Sequence, residues 1–149
     1  MEPEFERALK IALRMLRASD KFRAEIEARL IARGFETQTV EAVLRWLSDK
    51  GVLNDERTLS NAFERLASDR CWGSERIRAA LTERGAPEDR LAGLMASRSI
   101  GDERKAARKA LQKKGVRTRA SAGRLLASLG FEEELIESAL DELFGTELE

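Results

Sequence analysis

A run of basic residues in the last third of the chain is the clearest candidate for chemistry. Between Arg104 and Arg124 every charged residue is basic. Cationic side chains at this density can bind phosphate backbones or acidic protein surfaces. We therefore predict an anionic macromolecular partner, which is bound through Arg104, Lys105, Arg108, Lys109, Lys113, Arg117, Arg119 and Arg124.

The acidic segment that follows supports a second interpretation of the same residues. From Glu132 to Glu149 every charged residue is acidic, and the chain as a whole has 27 basic and 27 acidic residues, so its net charge is zero. In this alternative the acidic segment neutralises the cations, which then form an ordinary solvated surface. We prefer the binding interpretation, and the sequence leaves both open.

Catalytic and metal chemistry have little support in the sequence. The chain has no His and only one Cys, Cys71, which excludes Ser–His and Cys–His pairs, a His-based metal site and an intramolecular disulfide. No glycine-rich loop is followed by Lys and Ser or Thr, as a phosphate-binding loop would be. We predict a protein that is not an enzyme and that has no catalytic residue, cofactor or metal site.

Helical periodicity predicts how the cations are presented. At about 100° per residue, one half of a helix is filled by Arg104, Lys105, Arg108, Lys109 and Lys113. The other half is filled by Ala106, Ala107, Ala110 and Leu111, and Lys114 falls within this apolar arc at the end of the helix. The sequence therefore predicts a helix with a cationic outer half and an apolar inner half.

A leucine–glycine motif recurs three times and indicates the scaffold that positions this helix. A leucine is followed after four residues by a glycine, and apolar residues follow six, nine and ten positions later. The copies are Leu30, Gly34, Val40, Val43 and Leu44; Leu81, Gly85, Leu91, Leu94 and Met95; and Leu126, Gly130, Ile136, Ala139 and Leu140. A near-constant period of this size is typical of tandem repeats that stack to bury their apolar faces.

The predicted fold is all-α, with three tandem three-helix repeats that form an elongated, curved array. The repeats span residues 1–53, 54–100 and 101–149, and the last one ends in a short frayed tail from Gly145. Helices of the first repeat are expected at Glu4–Arg17, Phe22–Arg33 and Thr37–Lys50. In the second repeat we expect Ser74 as an N-cap and Pro87 in the first turn of the last helix.

The helix–glycine–helix hairpin of each repeat is similar to a helix-turn-helix, but its charges argue against base recognition. The last helix of the third repeat and its first turn contain Glu132, Glu133, Glu134, Glu137, Asp141 and Glu142. A strongly acidic helix does not enter a groove lined by phosphates. Sequence-specific DNA binding is therefore not expected, whereas contact with a nucleic-acid backbone stays open.

The order of several short motifs resembles the RecX family over roughly residues 7–143. The segment Gly51–Arg57 leads from the first repeat into the second, as in that family. Gly73–Ile77, followed by Arg84 and Gly85, resembles the Gly-x-x-Arg-Ile and Lys/Arg-Gly pattern of the family's second repeat. Phe22–Phe35 resembles its first repeat. The chain departs from the pattern at Thr58, where an aromatic residue is usual, and in its zero net charge.

This resemblance implies a regulator of the RecA recombinase, with roles in the SOS response, homologous recombination and the regulation of DNA repair. Such a protein binds RecA nucleoprotein filaments in their groove and inhibits recombinase, ATPase and co-protease activity. The expected partners are the RecA filament and the DNA backbone within it. We expect a cytoplasmic monomer that has no membrane partner, since no apolar run approaches the length of a bilayer span.

A second class of function also fits the sequence. A helical-repeat adaptor would bind another protein, or a nucleic-acid backbone without sequence specificity. Binding to RecA filaments distinguishes the two hypotheses.

Overall fold

The computed structural model describes residues 2–145, and the all-α fold that the sequence predicts is confirmed there. Nine α-helices and one π-helical segment form the described part of the chain. The α-helices are α1 Pro3–Ala18, α2 Arg23–Ala32, α3 Thr37–Asp49, α4 Asp55–Glu64, α5 Ser74–Arg84, α6 Glu88–Ser97, α7 Ile100–Lys114, α8 Arg119–Ser128 and α9 Glu133–Phe144. The π-helical segment is Arg65–Asp69 and continues α4. The predicted frayed tail lies outside the described residues from position 146 onward.

The three glycines of the leucine–glycine motif end α2, α5 and α8, as predicted. Gly34, Gly85 and Gly130 have φ angles of +90°, +96° and +91°, a left-handed conformation that glycine adopts without steric cost. The leucine four residues before each glycine is fully buried, with 0% of its surface exposed. The motif therefore combines one anchor of the apolar face with one helix stop.

The helix that begins with α4 is not α-helical along its whole length. Beyond Glu64 the backbone widens into the π-helical segment, in which the Arg70 N–H donates to the Arg65 carbonyl at 3.0 Å. Cys71 then ends the helix with a φ of +57°, which is unusual for a residue other than glycine. The sequence pattern does not indicate this π-helical segment, because the spacing of the apolar residues Leu59, Ala62 and Leu66 fits an ordinary α-helix.

Two helix starts in the second predicted repeat also differ from expectation. Helix α5 begins at Ser74 itself, and the Ser74 hydroxyl donates to Glu103 Oε1 at 2.9 Å, a bond that does not cap α5. Pro87 directly precedes α6, which begins at Glu88, instead of lying within its first turn. Both shifts are of one residue, the usual uncertainty of a helix end.

By its contacts the described chain forms two compact units. The first unit comprises the chain up to Ser60 together with Thr82–Pro87, and the second comprises Asn61–Leu81 together with the chain from Glu88 onward. The predicted repeat boundaries, at residues 1–53, 54–100 and 101–149, stay a prediction.

Helices α1, α2 and α3 pack against one another in the first unit. Their buried apolar side chains are Ala8, Ala12, Ile26, Leu30, Val40, Val43, Leu44 and Leu47, together with Leu53 after α3. Thr58, where the RecX family usually has an aromatic residue, is 2% exposed, and its hydroxyl donates to the Lys21 carbonyl at 3.4 Å. The Asp55 carboxylate accepts a hydrogen bond from the Arg23 N–H at 2.7 Å and thereby caps the start of α2.

A two-pronged ion pair joins Arg84 to Glu25 in the first unit. Arg84 Nε and Nη2 each donate to one carboxylate oxygen of Glu25 at 3.0 Å. The guanidinium carbon lies 4.9 Å from the centre of the Phe22 ring, and Nη2 also donates to the Asp20 carbonyl at 3.3 Å. Only a guanidinium offers two parallel donors and a flat face at once. We infer that Arg84 is a structural residue.

Replacing Arg84 with lysine should lower stability although the charge is kept. We expect the Arg84→Lys variant to lose about 1–2 kcal/mol, because one ammonium cannot reproduce the paired bonds and the ring contact. Thermal denaturation should show a midpoint about 2–8 °C lower. Arg78→Lys is the matched control, since Arg78 is exposed on the same helix and makes no ion pair in the described part of the chain. Equal midpoints for the two variants would contradict the structural role of Arg84.

Helices α7, α8 and α9 form the core of the second unit. The buried side chains of this cluster are Cys71, Ala106, Ala107, Ala110, Leu111, Ala122, Leu126, Phe131, Leu135, Ala139 and Leu140. Three of the four buried residues of α7 are alanines, whose short side chains allow neighbouring helices to approach closely. The same helix places the predicted cations on its outer face.

Candidate functional site

Helix α7 presents the cationic run as the helical wheel predicts. Ser99 caps its start, since the Ser99 hydroxyl accepts from the Asp102 N–H at 2.9 Å and the Asp102 carboxylate accepts from the Ser99 N–H at 3.1 Å. These bonds hold the pKa of Asp102 below its ordinary value. Gly115 ends the helix with a φ of +61°.

The burial of α7 separates its two halves. Ala106, Ala107, Ala110 and Leu111 are buried, whereas every cation predicted on this helix is exposed. Lys114, which the wheel places in the apolar arc, is exposed at the last residue of the helix. The predicted placement of the cations is therefore confirmed, and their role in binding stays a prediction.

Two of the predicted cations contact carboxylates of α9. Arg108 Nη1 lies 2.9 Å from Glu142 Oε1. Arg119 Nη2 lies 2.7 Å from Asp141 Oδ1 and 3.2 Å from Glu137 Oε2, and Arg119 Nη1 donates to the Gly145 carbonyl at 2.8 Å. For these two residues the structure agrees with the alternative interpretation, in which the acidic segment neutralises the cations.

Two other cations contact backbone carbonyls of the π-helical segment. Lys109 Nζ donates to the Ser68 carbonyl at 2.9 Å, and Lys113 Nζ donates to the Asp69 carbonyl at 3.3 Å. A carbonyl is a neutral acceptor, so both ammonium groups keep their net charge. These lysines stabilise the last carbonyls of the π-helical segment and contribute positive potential at the same time.

The remaining predicted cations face solvent. Arg104, Lys105 and Arg117 are exposed and make no ion pair within 4.0 Å in the part of the chain that the structure describes. Arg124 Nη2 donates to the Ser121 hydroxyl at 3.4 Å, which leaves its charge uncompensated. The eight predicted residues therefore fall into three groups: paired with carboxylates, bound to carbonyls, and free of both.

A shallow groove of about 380 Å³ borders α7 in the second unit. Phe63, Ala67 and Ala106 provide apolar lining, and Arg98, Lys105 and Lys109 provide positive charge. Glu64 and Asp102 also line it, so the groove itself has a mixed charge. The groove therefore extends the cationic face of α7 only on the side of Lys105 and Lys109.

Arg98 is a cation that the sequence analysis did not identify. Its Nη2 donates to the Trp72 carbonyl at 2.9 Å and its Nη1 donates to the Ser74 hydroxyl at 3.2 Å. Burial lowers the pKa of the Arg98 guanidinium, and the charges of Glu103 and Asp102 oppose that shift. A single arginine between two helices belongs to no periodic pattern, so the sequence offers no signal that could have found it.

Residues 2–145 show no arrangement typical of a metal centre, because no three His, Cys, Asp or Glu side chains are grouped so that they could hold an ion. Cys71 is 1% exposed, and its thiol contacts the Ser68 carbonyl at 3.6 Å. Over the same residues, every helix is too short or too polar to cross a membrane.

Comparison with known proteins identifies relatives over most of the chain. A family model described as "RecX, first three-helix domain" matches residues 8–47. Regulatory protein RecX of Chromohalobacter salexigens is 33% identical over 135 residues, which cover 87% of this chain and 88% of that protein. Regulatory protein RecX of Clostridium perfringens strain 13 is 31% identical over 114 residues, covering 76% of this chain and 52% of that protein. The matched region is thus about half the length of the Clostridium relative.

Solved structures with the same fold agree with this result. The crystal structure of RecX from Lactobacillus salivarius has a TM-score of 0.76 at 16% identity, over 94% of this chain and 96% of that one. A second crystal structure, of a regulatory protein RecX, has a TM-score of 0.75 at 17% identity, over 93% of this chain and 73% of that one. At these identities the structures support the fold alone, whereas the relative from Chromohalobacter, matched along most of its length, establishes descent. The chain belongs to the RecX family.

Proposed function

We propose that this protein binds RecA nucleoprotein filaments in their groove and inhibits their recombinase, ATPase and co-protease activity. The observation that supports this most directly is membership of the RecX family of regulatory proteins. The protein would act in the cytoplasm as a monomer that regulates homologous recombination and the SOS response. It would perform no chemical reaction itself.

The mechanism we propose is steric and electrostatic. A helical body that lies in the filament groove would bridge RecA subunits and exclude a second DNA molecule. The cations of α7 and α8, and Arg117 between these helices, would contact acidic filament surfaces or the phosphates of the bound DNA. Arg104, Lys105 and Arg117 are exposed and make no ion pair in the described residues. They can therefore bind an anion without first breaking an ion pair, as Arg108 and Arg119 would have to do.

The direct test is ATP hydrolysis by RecA on single-stranded DNA, with increasing amounts of the protein. We expect hydrolysis to fall in a saturable manner, and the inhibition to weaken as salt rises, because at about 0.1 M ionic strength charge interactions are screened beyond roughly 10 Å. Bovine serum albumin at equal concentration controls for non-specific loss of RecA. Unchanged hydrolysis at saturating protein would refute the proposal.

A helical-repeat adaptor for another protein is the alternative. Sedimentation with preformed filaments separates the two hypotheses, since an adaptor stays in the supernatant whether or not RecA is filamentous. The cationic face of α7 is compatible with either function.

A further inference from the structure

The contacts between α9 and the cations of α7 and α8 have the chemistry of a bound polyanion. Carboxylate oxygens of Glu137, Asp141 and Glu142 lie 2.7–3.2 Å from the guanidinium groups of Arg108 and Arg119. Phosphate oxygens bind arginine through the same donors and at similar distances. We call these three carboxylates the acidic face of α9.

We propose that the acidic face of α9 is an intramolecular mask, which occupies Arg108 and Arg119 and so limits the affinity of this surface for a phosphodiester backbone. The inference deepens the proposed function and rests on its premise that the cations of α7 and α8 contact an anionic partner.

The exposure of the paired groups makes exchange with an external anion feasible. The Arg108 and Glu142 side chains are 47% and 46% exposed, so solvent screens their attraction and the pair is weak. Arg119 is held more firmly, since its side chain is only 20% exposed and it has several acceptors. The mask should therefore open first at Arg108.

The separation of basic and acidic residues along the chain supports the same inference. Helix α9 has no basic residue, and the run from Arg104 to Arg124 has no acidic one. Segregated charges of this kind compensate each other only through tertiary contact. The ion pairs of α9 involve Glu137, Asp141 and Glu142, whereas Glu132, Glu133 and Glu134 make no ion pair within the described residues.

The acids of α9 and its N-cap therefore allow a matched experiment, since some of them form ion pairs and others do not. The variant Glu137→Gln, Asp141→Asn, Glu142→Gln neutralises the acidic face while keeping the shape of the side chains. The variant Glu132→Gln, Glu133→Gln, Glu134→Gln changes the net charge by the same amount but breaks no ion pair. Each is compared with the wild-type protein by fluorescence anisotropy of a labelled oligo(dT) strand, over about 50–200 mM salt.

We expect the first variant to bind the strand about threefold to tenfold more tightly than the wild-type protein. Its plot of log affinity against log salt should also become steeper, by roughly 0.7 for each cation newly bound to a phosphate. The second variant should show a smaller gain and an unchanged slope. Equal gains in both variants would show that net charge alone matters and would overturn the mask, as would the absence of any gain in the first variant.

Folding and the proposed function are controlled separately. Circular dichroism checks that both variants are folded. If either triple variant is unfolded, two single changes repeat the comparison: Glu142→Gln removes the exposed pair with Arg108, and Glu134→Gln is its unpaired control. Because the probe is DNA without RecA, the result does not depend on RecA inhibition. If the first variant gains affinity for the strand but neither it nor the wild-type protein inhibits RecA, the proposed function is refuted and the intramolecular mask is still supported.

Discussion

Replacing Gly130 with alanine should destabilise the protein more than the same change at an equivalent glycine. At Gly130 an added Cβ would lie 2.6 Å from the backbone nitrogen of Arg76 and closer still to the Arg76 Cβ. Backbone bonds hold the two segments together here, since the Gly73 N–H donates to the Leu129 carbonyl at 2.7 Å and the Glu75 N–H donates to the Gly130 carbonyl at 3.1 Å. Because the Arg76 backbone is one of the groups that the added Cβ would meet, relief of the clash requires the two backbone segments to move apart, which strains these bonds.

Gly34→Ala is the matched control for this prediction. Gly34 occupies the same place in the leucine–glycine motif with a φ of +90°, against +91° for Gly130, but an added Cβ would meet nothing within 4 Å. The control should lose about 1–2 kcal/mol from the left-handed conformation alone. Gly130→Ala should lose roughly 3–5 kcal/mol, since overpacking is added to that strain.

Thermal denaturation followed by circular dichroism measures the difference. At about 2–4 °C per kcal/mol for a chain of this size, the midpoint of Gly130→Ala should lie several degrees below that of Gly34→Ala. Equal midpoints would mean that the close approach at Gly130 relaxes freely. The loss of stability comes from a steric clash and not from charges, so it should not depend on salt.

Reversing the charge of the unpaired cations should weaken inhibition of RecA at least tenfold. The variant is Arg104→Glu, Lys105→Glu, Arg117→Glu, chosen because these residues make no ion pair in the described part of the chain. Exposed charge contacts contribute about 0.2–1 kcal/mol each, and reversal adds repulsion. A tenfold loss requires only about 1.4 kcal/mol. The measurement is the concentration for half-maximal inhibition of RecA ATP hydrolysis.

A variant with the same change of net charge provides the control. Lys10→Glu, Arg14→Glu, Arg17→Glu places three reversals on exposed positions of α1. If both variants lose inhibition equally, only net charge matters and α7 is not the contact surface. If the first variant is folded and inhibits as well as the wild-type protein, the cations serve solubility and the partner is bound elsewhere.

Much of the scaffold could be predicted from the sequence because it depends on local rules. The glycine stops at Gly34, Gly85 and Gly130 follow from the left-handed conformation that a helix end requires. The inner and outer halves of α7 follow from the angular spacing of its residues, since alanine and leucine are buried where charged side chains cannot be. The eight candidate cations were likewise found by residue type and spacing.

Only the tertiary structure decided which of those cations are compensated. Arg104 and Arg108 lie in the same half of the helical wheel, yet Arg108 pairs with Glu142, which is 34 residues away. The contacts of Lys109 and Lys113 with the π-helical segment also join residues that are distant in sequence. The sequence by itself determined the helices, their stops and the face that bears the charge. The pairing of charges and the close approach at Gly130 required the fold, because they join groups that no local spacing relates.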